Sequence, residues 1–278
     1  MCQLLGMNCN VPTDICFSFA GFRARGGLTD HHRDGWGIAF FEGAGARVFL
    51  DPSPSADSPV AELVKHYPIR SLNVIAHIRK ATQGEVRLEN THPFQRELWG
   101  RYWIFAHNGN LKNFAPTLTG RFQPVGTTDS ELAFCYLLDR LAQRFPQGTR
   151  DIAELHAELH AELRALAIEI GSHGEFNFLL SDGNQLFAHC SSRLCYIVRK
   201  APFPVAHLAD EDLTVDFNEV TTPLDRVAVI ATTPLTDNEC WTQIAPGNLL
   251  AFRDGEPVAL RDTTTVAQDY PRGTVTNA

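Results

Sequence analysis

The sequence lacks the features of several large classes of protein. Its seven cysteines are an odd number without a C-x-x-C pair, which argues against a disulfide framework and against a zinc framework. No apolar run is long enough to cross a membrane, and the first residues have neither the basic region nor the apolar region of a secretory signal. The formal net charge of −8 argues against nucleic acid as the main partner. These absences favour a reduced, cytoplasmic protein that binds neither nucleic acid nor membrane.

The chain also lacks a linker of biased composition and any repeat longer than the local "AELH" echo. Its 278 residues, 44% hydrophobic and 20% charged, have the composition of an ordinary globular enzyme and can bury a sizeable core. We therefore predict a single domain over residues 1–278, with a polar, loosely held tail from about residue 262.

Strand patterns dominate the two ends of the chain. The segments "CQLLGMNC", "DGWGIAFFEG", "ARVFLD", "NVIAHIRKA" and "RYWIFAHNGN" are predicted strands, and the last is expected to end in a turn. A polar loop, "TQGEVRLENTHPFQREL", separates the last two. "EFNFLLSDGNQLFAHC" is a predicted hairpin that turns at Asp182 and Gly183. Further strands are predicted in "RLCYIVRK", "RVAVIATTPL" and "NLLAFRDG".

Helix signals occur at four places. Pro12 and Thr13 are predicted to open a first helix that Gly26 and Gly27 end, and Ser58 to cap a second. Two long helices follow. Thr128 and Glu131 have capping-box spacing at the start of one. The other carries an apolar stripe formed by Leu155, Leu159, Leu163, Leu166 and Ile170.

Four short pieces carry candidate chemistry, because each lies where a strand or helix begins or ends. They are Cys2, "HIRKAT" at 77–82, "HNGN" at 107–110 and "TTDSE" at 127–131. Each alone has an ordinary explanation. Cys2 could be a core thiol, Arg79 half of an ion pair, Asn-Gly a tight turn and Asp129 a residue that favours a helix N-terminus.

Together the four pieces contain what amide cleavage requires. The thiol of Cys2 can attack a carbonyl carbon if a base is near, and its own α-amine, with a usual pKa of about 7.7–8.0, can serve once Met1 is removed. Asn108 and Gly109 offer N–H donors for the oxyanion. The fork of Arg79 suits a substrate carboxylate, and the carboxylate of Asp129 suits an ammonium group. This set fits a pocket for glutamine.

In this order and at these intervals, Cys2, "AHIRKAT", "THPF", "AHNGN" and "TTDSE" resemble the class-II glutamine amidotransferase domains, which are N-terminal-nucleophile hydrolases. "DGWGIAFF" and "VAVIATTPLTDNECW" are similar to the stand-alone, YafJ-type branch. The resemblance covers about residues 2–255. It implies an α+β protein with a four-layer αββα sandwich, in which two antiparallel sheets lie between helical layers.

The resemblance also implies roles for seven residues. Cys2 would form a γ-glutamyl thioester, and Asn108 and Gly109 would form the oxyanion hole. The remaining four would bind substrate: Arg79 its carboxylate, Asp129 its amine, and Thr82 and His92 the rest of the glutamine. The resemblance implies neither a cofactor nor a metal.

Two departures from the family pattern leave the substrate open. Lys80 stands where several family members have tryptophan, and Gln83 where they have histidine. Glutamine hydrolysis is the main hypothesis, with ammonia released for an acceptor. Because we expect no fused acceptor module, a separate synthetase subunit is a possible recipient. Hydrolysis of a larger γ-glutamyl amide of a small thiol metabolite is the second, and a non-catalytic binding or regulatory domain is the third. The oligomeric state stays open, a homodimer included.

Other polar clusters have less specific patterns. His156 and His160 could form a two-histidine metal face, but glutamates beside them favour a solvated face. "TDHHRD" at 29–34 could bind substrate or metal, or simply connect two elements. His77 and His107 adjoin the motifs, where they could tune the pocket or be satisfied core histidines.

Overall fold

A computed structural model describes residues 2–148 and 153–258, apart from the side chains of residues 153–155. Within these ranges the helices are α1 (Cys16–Ala24), α2 (Pro59–His66), α3 (Asp129–Arg144) and α4 (Ala153–Gly171). The strands are β1 (Gln3–Thr13), β2 (Trp36–Glu42), β3 (Gly45–Asp51), β4 (Ser71–Ile78), β5 (Phe94–Leu98), β6 (Arg101–Leu111), β7 (Gly174–Ser181), β8 (Leu186–His189), β9 (Cys195–Lys200), β10 (Val205–His207), β11 (Thr214–Asp216), β12 (Arg226–Ala231), β13 (Thr242–Gln243), β14 (Leu249–Arg253) and β15 (Glu256–Pro257).

Two antiparallel sheets form the centre of the fold. The seven-stranded sheet has the order β13–β9–β12–β1–β4–β2–β3, and the six-stranded sheet has the order β15–β14–β8–β7–β6–β5. Helices α1 and α2 pack on the first sheet, and α3 and α4 on the second. The predicted four-layer αββα sandwich, and its α+β class, are therefore confirmed.

Three apolar layers hold the sandwich together, as expected when each sheet face must bury its side chains. Leu4 and Ile75 lie between the sheets, Trp36 of β2 packs against Phe19 of α1, and Phe105 lies under α3. The stripe predicted on α4 is buried at Leu159, Leu163, Leu166 and Ile170, while the side chain of Leu155 is outside the described residues.

Local signals explain where helices and turns begin. The hydroxyl of Ser58 caps α2 by accepting the N–H of Ala61, and Thr128 caps α3 by accepting the N–H of Glu131 at 3.2 Å. Glu131 does not complete the capping box, because its carboxylate binds Arg96 and the N–H of Gly126. The hairpin between β7 and β8 turns through residues 182–185, as predicted.

The first helix begins later than predicted. Pro12 and Thr13 belong to β1, whose pairing with β4 shifts register between Asn8 and Thr13. A proline is tolerated at such an irregularity because it has no N–H to donate. Helix α1 begins at Cys16, whose N–H is bound by the Asp14 carboxylate, and it ends at Ala24, before the two glycines.

The predicted turn at Asn-Gly is wrong. Strand β6 continues to Leu111, with Asn108 opposite Asn177 and Gly109 opposite Phe176 of β7. A Cβ atom at position 109 would collide with the carbonyl oxygen of Glu175. The glycine therefore allows two strands to approach closely rather than making a turn.

The polar loop is shorter than predicted, because its last five residues form β5, which pairs with β6. The short ribbon β10–β11 was also not predicted. Among the described residues, no helix has the length and apolar character of a membrane span. The tail predicted from residue 262 lies outside the described ranges.

Gly37 tests how tightly β2 packs against the segment that carries His92. A Cβ atom at Gly37 would collide with the carbonyl oxygen of His92 and lie 2.9 Å from that of Phe49. We expect Gly37→Ala to lower the free energy of unfolding by about 1–3 kcal/mol, the usual cost of overpacking. Urea denaturation followed by circular dichroism measures this change.

Gly171 is the matched control, because a Cβ atom there would have no neighbour within 4 Å. Gly171→Ala should leave the unfolding midpoint unchanged or slightly raised, since alanine favours a helix. Equal midpoints for Gly37→Ala and the wild type would contradict the packing described for β2.

Candidate active site

Cys2 is positioned by the pairing of β1 with β4. Gln3 lies opposite Ile78, so the residue before β1 lies beside Arg79 and Lys80, which follow β4. The Sγ atom of Cys2 accepts the N–H of Lys80 at 3.2 Å and donates to the carbonyl oxygen of Lys80 at 3.4 Å. Only 8% of Cys2 is exposed. The thiol is thus held by main-chain atoms at the start of β1, a central strand of the first sheet.

Burial raises the pKa of the Cys2 thiol, and the Lys80 N–H and the charge of Arg79 offset only part of that effect. The uncharged thiol therefore predominates at neutral pH. Because the thiolate is the reactive form, attack by Cys2 requires a group that removes the proton as the reaction begins.

One small cleft brings together six of the seven predicted site residues. Its lining includes Cys2, Arg79, Thr82, His92, Gly109 and Asp129. The cleft has a volume of about 20 Å³, enough for about one water molecule. A ligand as large as glutamine would need the cleft to widen.

Asn108 does not line this cleft. It lies between His107 and Gly109, which do, and its side chain is buried between the sheets. The Nδ2 atom of Asn108 donates to the hydroxyl of Thr232 at 3.4 Å, and Oδ1 has no hydrogen-bond partner among the described residues. An amide nitrogen carries two protons, so one N–H of Asn108 remains for another acceptor.

Arg79 holds the loop that follows β4. Its guanidinium donates to the main-chain carbonyls of Gln83, Gly84 and Glu85 at 2.9–3.1 Å. Burial lowers the pKa of Arg79, against the opposing charges of Cys2, Asp34 and Asp129. An arginine guanidinium still keeps its proton at neutral pH, so Arg79 is a cation in the wall of the cleft.

Asp129 is fixed at the first position of α3. Its Oδ2 atom accepts the N–H of Leu111 at 2.7 Å, and Oδ1 accepts the N–H of Ser130 at 2.9 Å. These bonds join the start of α3 to the end of β6 and orient the carboxylate toward the cleft. The Asp129 carboxylate can bind the ammonium of an amino acid, and the Arg79 guanidinium can bind its carboxylate.

Three buried histidines lie around the cleft in their neutral forms. Burial lowers the pKa of His77 to about 3, lowers that of His92 well below its usual value, and also lowers that of His107. The rings of His77 and His92 stack with centroids 4.2 Å apart. Neither ring nitrogen of His92 has a hydrogen-bond partner among the described residues.

The partners of His107 and His77 identify their tautomers. The Nε2 atom of His107 contacts the carbonyl of Glu175, which can only accept, so this nitrogen carries the proton and Nδ1 accepts from the hydroxyl of Ser130. The same argument places the proton of His77 on Nε2, which contacts the carbonyl of His107. These rings therefore hold the site rigidly and do not carry charge.

Two residues that hold Asn108 in place, Asn177 and Thr232, were not predicted from the sequence. Asn177 is completely buried, and it donates to the carbonyl of Asn108 at 3.0 Å and accepts the N–H groups of Ser191 and Ser192. An asparagine inside the apolar strand "EFNFLL" was the available signal, because a buried amide requires partners. Thr232 follows β12 directly and had no comparable signal.

The predicted histidine pair on α4 lies apart from this cleft, whereas the segment 29–34 contacts it through Asp34. His160 is buried and contacts the carbonyl of Leu249, so the predicted solvated face is wrong at this position, and His156 contacts Arg253. In the described ranges, no three histidine, cysteine, aspartate or glutamate side chains are grouped so as to hold a metal ion. From "TDHHRD", Asp34 accepts the N–H of Ala81 and so supports the loop after β4.

A larger cavity adjoins the cleft. It has a volume of about 570 Å³ and shares Gln83, Thr128 and Asp129 with the cleft. The side-chain amide of Gln83 donates to Oδ1 of Asn110 and to the carbonyl of Leu111 at 3.1 Å. Gln83 therefore forms a wall between the two spaces.

Comparisons with known proteins identify the family to which this chain belongs. The family model described as class-II glutamine amidotransferases matches residues 1–276. YafJ of Escherichia coli is 55% identical over 258 residues, which are 93% of this chain and 100% of that protein. A crystal structure of a predicted glutamine amidotransferase from Pseudomonas aeruginosa has 47% identity and a TM-score of 0.72, covering 93% of this chain and 100% of that one.

A more distant relative is named for a different activity. The gamma-glutamyl-hercynylcysteine sulfoxide hydrolase of Mycobacterium tuberculosis is 34% identical over 93 residues, which are 33% of this chain and 37% of that protein. The long match to YafJ and the match of the family model over nearly the whole chain decide the assignment. The chain belongs to the class-II glutamine amidotransferase family.

Proposed function

We propose that this protein hydrolyses the side-chain amide of glutamine through Cys2. The observation that carries the proposal is the single cleft in which the Cys2 thiol lies together with Arg79 and Asp129. The two charged residues suit the carboxylate and the ammonium of one free amino acid, and the thiol suits attack on the amide carbon. Membership of the family supports the same reaction class.

The proposed base is the α-amine of Cys2, released when Met1 is removed. As the bond from Sγ to the amide carbon forms, the thiol proton passes to this amine, and then to the departing nitrogen as the carbon–nitrogen bond breaks. Ammonia leaves, and a γ-glutamyl thioester remains on Cys2. Water then cleaves the thioester, which yields glutamate and restores the thiol.

The oxyanion would be stabilised by Asn108 and Gly109, which adjoin the cleft on β6. Asn108 contributes the amide N–H that is not bound to Thr232. Thr82 and His92, both in the lining, would contact the rest of the substrate. The ammonia would be released in the cytoplasm, or passed to a separate acceptor subunit.

Replacement of Cys2 is the direct test. We expect Cys2→Ala to abolish glutamate and ammonia production, because no other described cysteine lines the cleft. An electrophilic glutamine analogue should add one group to the wild type and none to Cys2→Ala, measured by intact mass. The same spectrum of protein made in its own cells should show that Met1 is absent.

Cys240→Ala is the matched control, because Cys240 is exposed and outside the cleft. It should keep both activity and labelling. Full activity in Cys2→Ala, or in protein that retains Met1, would contradict the mechanism. A processed wild type that neither turns over glutamine nor reacts with the analogue would support the non-catalytic alternative.

A second candidate substrate is a larger γ-glutamyl amide. The 570 Å³ cavity that shares Gln83 with the cleft is the observation that favours it, because it could hold a substituent that glutamine lacks. The Mycobacterium tuberculosis relative, whose name gives it a γ-glutamyl substrate, adds support. In this proposal Gln83 determines how far a substrate extends from the cleft into the cavity.

Shortening Gln83 should change the preference between small and large substrates. For Gln83→Ala, we expect the kcat/KM for a γ-glutamyl anilide, relative to that for glutamine, to rise about tenfold, equivalent to about 1.4 kcal/mol. The bonds from Arg79 to the loop go to main-chain carbonyls and do not require this side chain.

Gln83→Met is the control, since methionine fills a similar volume without hydrogen bonds. It should leave the substrate ratio near that of the wild type. An unchanged ratio in Gln83→Ala would show that Gln83 does not limit the substrate.

A further inference from the structure

Thr232 occupies an unusual position relative to the cleft. Its hydroxyl oxygen accepts the N–H of Leu4 at 2.9 Å and the Nδ2–H of Asn108 at 3.4 Å. Leu4 is two residues after Cys2 in β1, and Asn108 lies on β6 in the opposite sheet. One oxygen atom therefore joins the strand of the nucleophile to the residue proposed to stabilise the oxyanion.

The main chain around Thr232 is firmly held. Its N–H donates to the carbonyl of Leu4 at 3.1 Å, so the Leu4–Thr232 contact is formed twice. The next two residues, Thr233 and Pro234, accept hydrogen bonds from the buried guanidinium of Arg25, which also pairs with Asp210. The hydroxyl of Thr232 is thus part of a rigid segment, and only 4% of the residue is exposed.

Two residues hold Asn108: one binds its main chain and the other binds its side chain. Asn177 binds the main-chain carbonyl of Asn108 and so fixes its backbone. Among the described residues, Thr232 supplies the one hydrogen bond to the Asn108 side chain. Without that bond, the amide could rotate about its side-chain torsions, and its second N–H would lose a fixed direction.

We propose that Thr232 is a positioning residue of the amidase reaction, which aligns the Asn108 amide with the Cys2 thiol. The inference rests on the proposed function, because it assigns Thr232 to that reaction. Thr232 does not line the cleft and acts through Asn108 and β1. Its contribution is expected in the transition state, where the oxyanion forms, rather than in substrate binding.

Kinetics of Thr232→Val and Thr232→Ser test this role. Valine has the shape of threonine without the hydroxyl, so we expect kcat for glutamine to fall about 10- to 100-fold with KM nearly unchanged, somewhat less than loss of an oxyanion donor itself. Serine retains the hydroxyl and should restore kcat to within about threefold of the wild type. When Asn108 is already replaced by alanine, adding Thr232→Val should lower kcat by a further factor of less than about three, because the two residues act together.

Thr236→Val controls for the loss of a buried hydroxyl. Thr236 is equally buried, and its hydroxyl binds Trp241 and Glu239 away from the cleft. This variant should unfold at lower denaturant concentration but keep the wild-type kcat. If Thr232→Val keeps the wild-type kcat, or loses the same factor in both backgrounds, the proposal is wrong.

Failure of the proposed function gives a different result. In that case the processed wild type itself would not turn over glutamine and would not be labelled by the electrophilic analogue. If Thr232→Val does not fold, the test compares Thr232→Ser with Thr232→Ala instead. Their kcat values are compared at equal folded fraction. Equal kcat in these two variants would overturn the proposal, because only serine keeps the oxygen.

Discussion

The pairing register of β1 and β4 is the constraint on which the candidate active site depends. Because Gln3 lies opposite Ile78, the residue before one strand meets the residues after the other. Side chains alternate between the two faces of a strand, so a slip of one residue would turn Cys2 from the space between the sheets to the face covered by helices. The register is secured by the apolar side chains of the same strands, including Leu4 and Leu5, which are buried on opposite faces. Core packing and the placement of the proposed nucleophile are therefore the same structural requirement.

Burial also determines the electrostatics of the site. It raises the pKa of the Cys2 thiol and lowers those of His77, His92 and His107, so all four groups are predominantly uncharged at neutral pH. The histidines form a rigid, neutral wall, and charge is left to residues such as Arg79 and Asp129 that suit the ends of an amino acid. A histidine in such a wall is a poor choice for the base that activates the thiol, because protonating it would place a charge in a buried position.

Much of this arrangement could be predicted from the sequence, since short motifs at strand ends and helix starts contain its residues. The sandwich followed from the family resemblance, and the caps at Ser58 and Thr128 followed from local chemistry. The prediction of a turn at Asn-Gly was wrong, because a dipeptide cannot reveal that another strand lies against it. Thr232 was missed because its partner Leu4 is 228 residues away, and no local pattern reports such a contact. The roles assigned to the cleft residues remain predictions that kinetics can test.

The contact between the Cys2 thiol and residue 80 involves only main-chain atoms of Lys80. The side chain of Lys80 is exposed, although the residue belongs to the lining of the cleft. Replacing it would leave both hydrogen bonds to sulfur available, since every residue except proline has the same N–H and C=O groups. The tryptophan-to-lysine difference from other family members therefore need not alter how the sulfur is held. Position 80 offers an attachment point for an environment-sensitive fluorophore that would report occupancy at the mouth of the site.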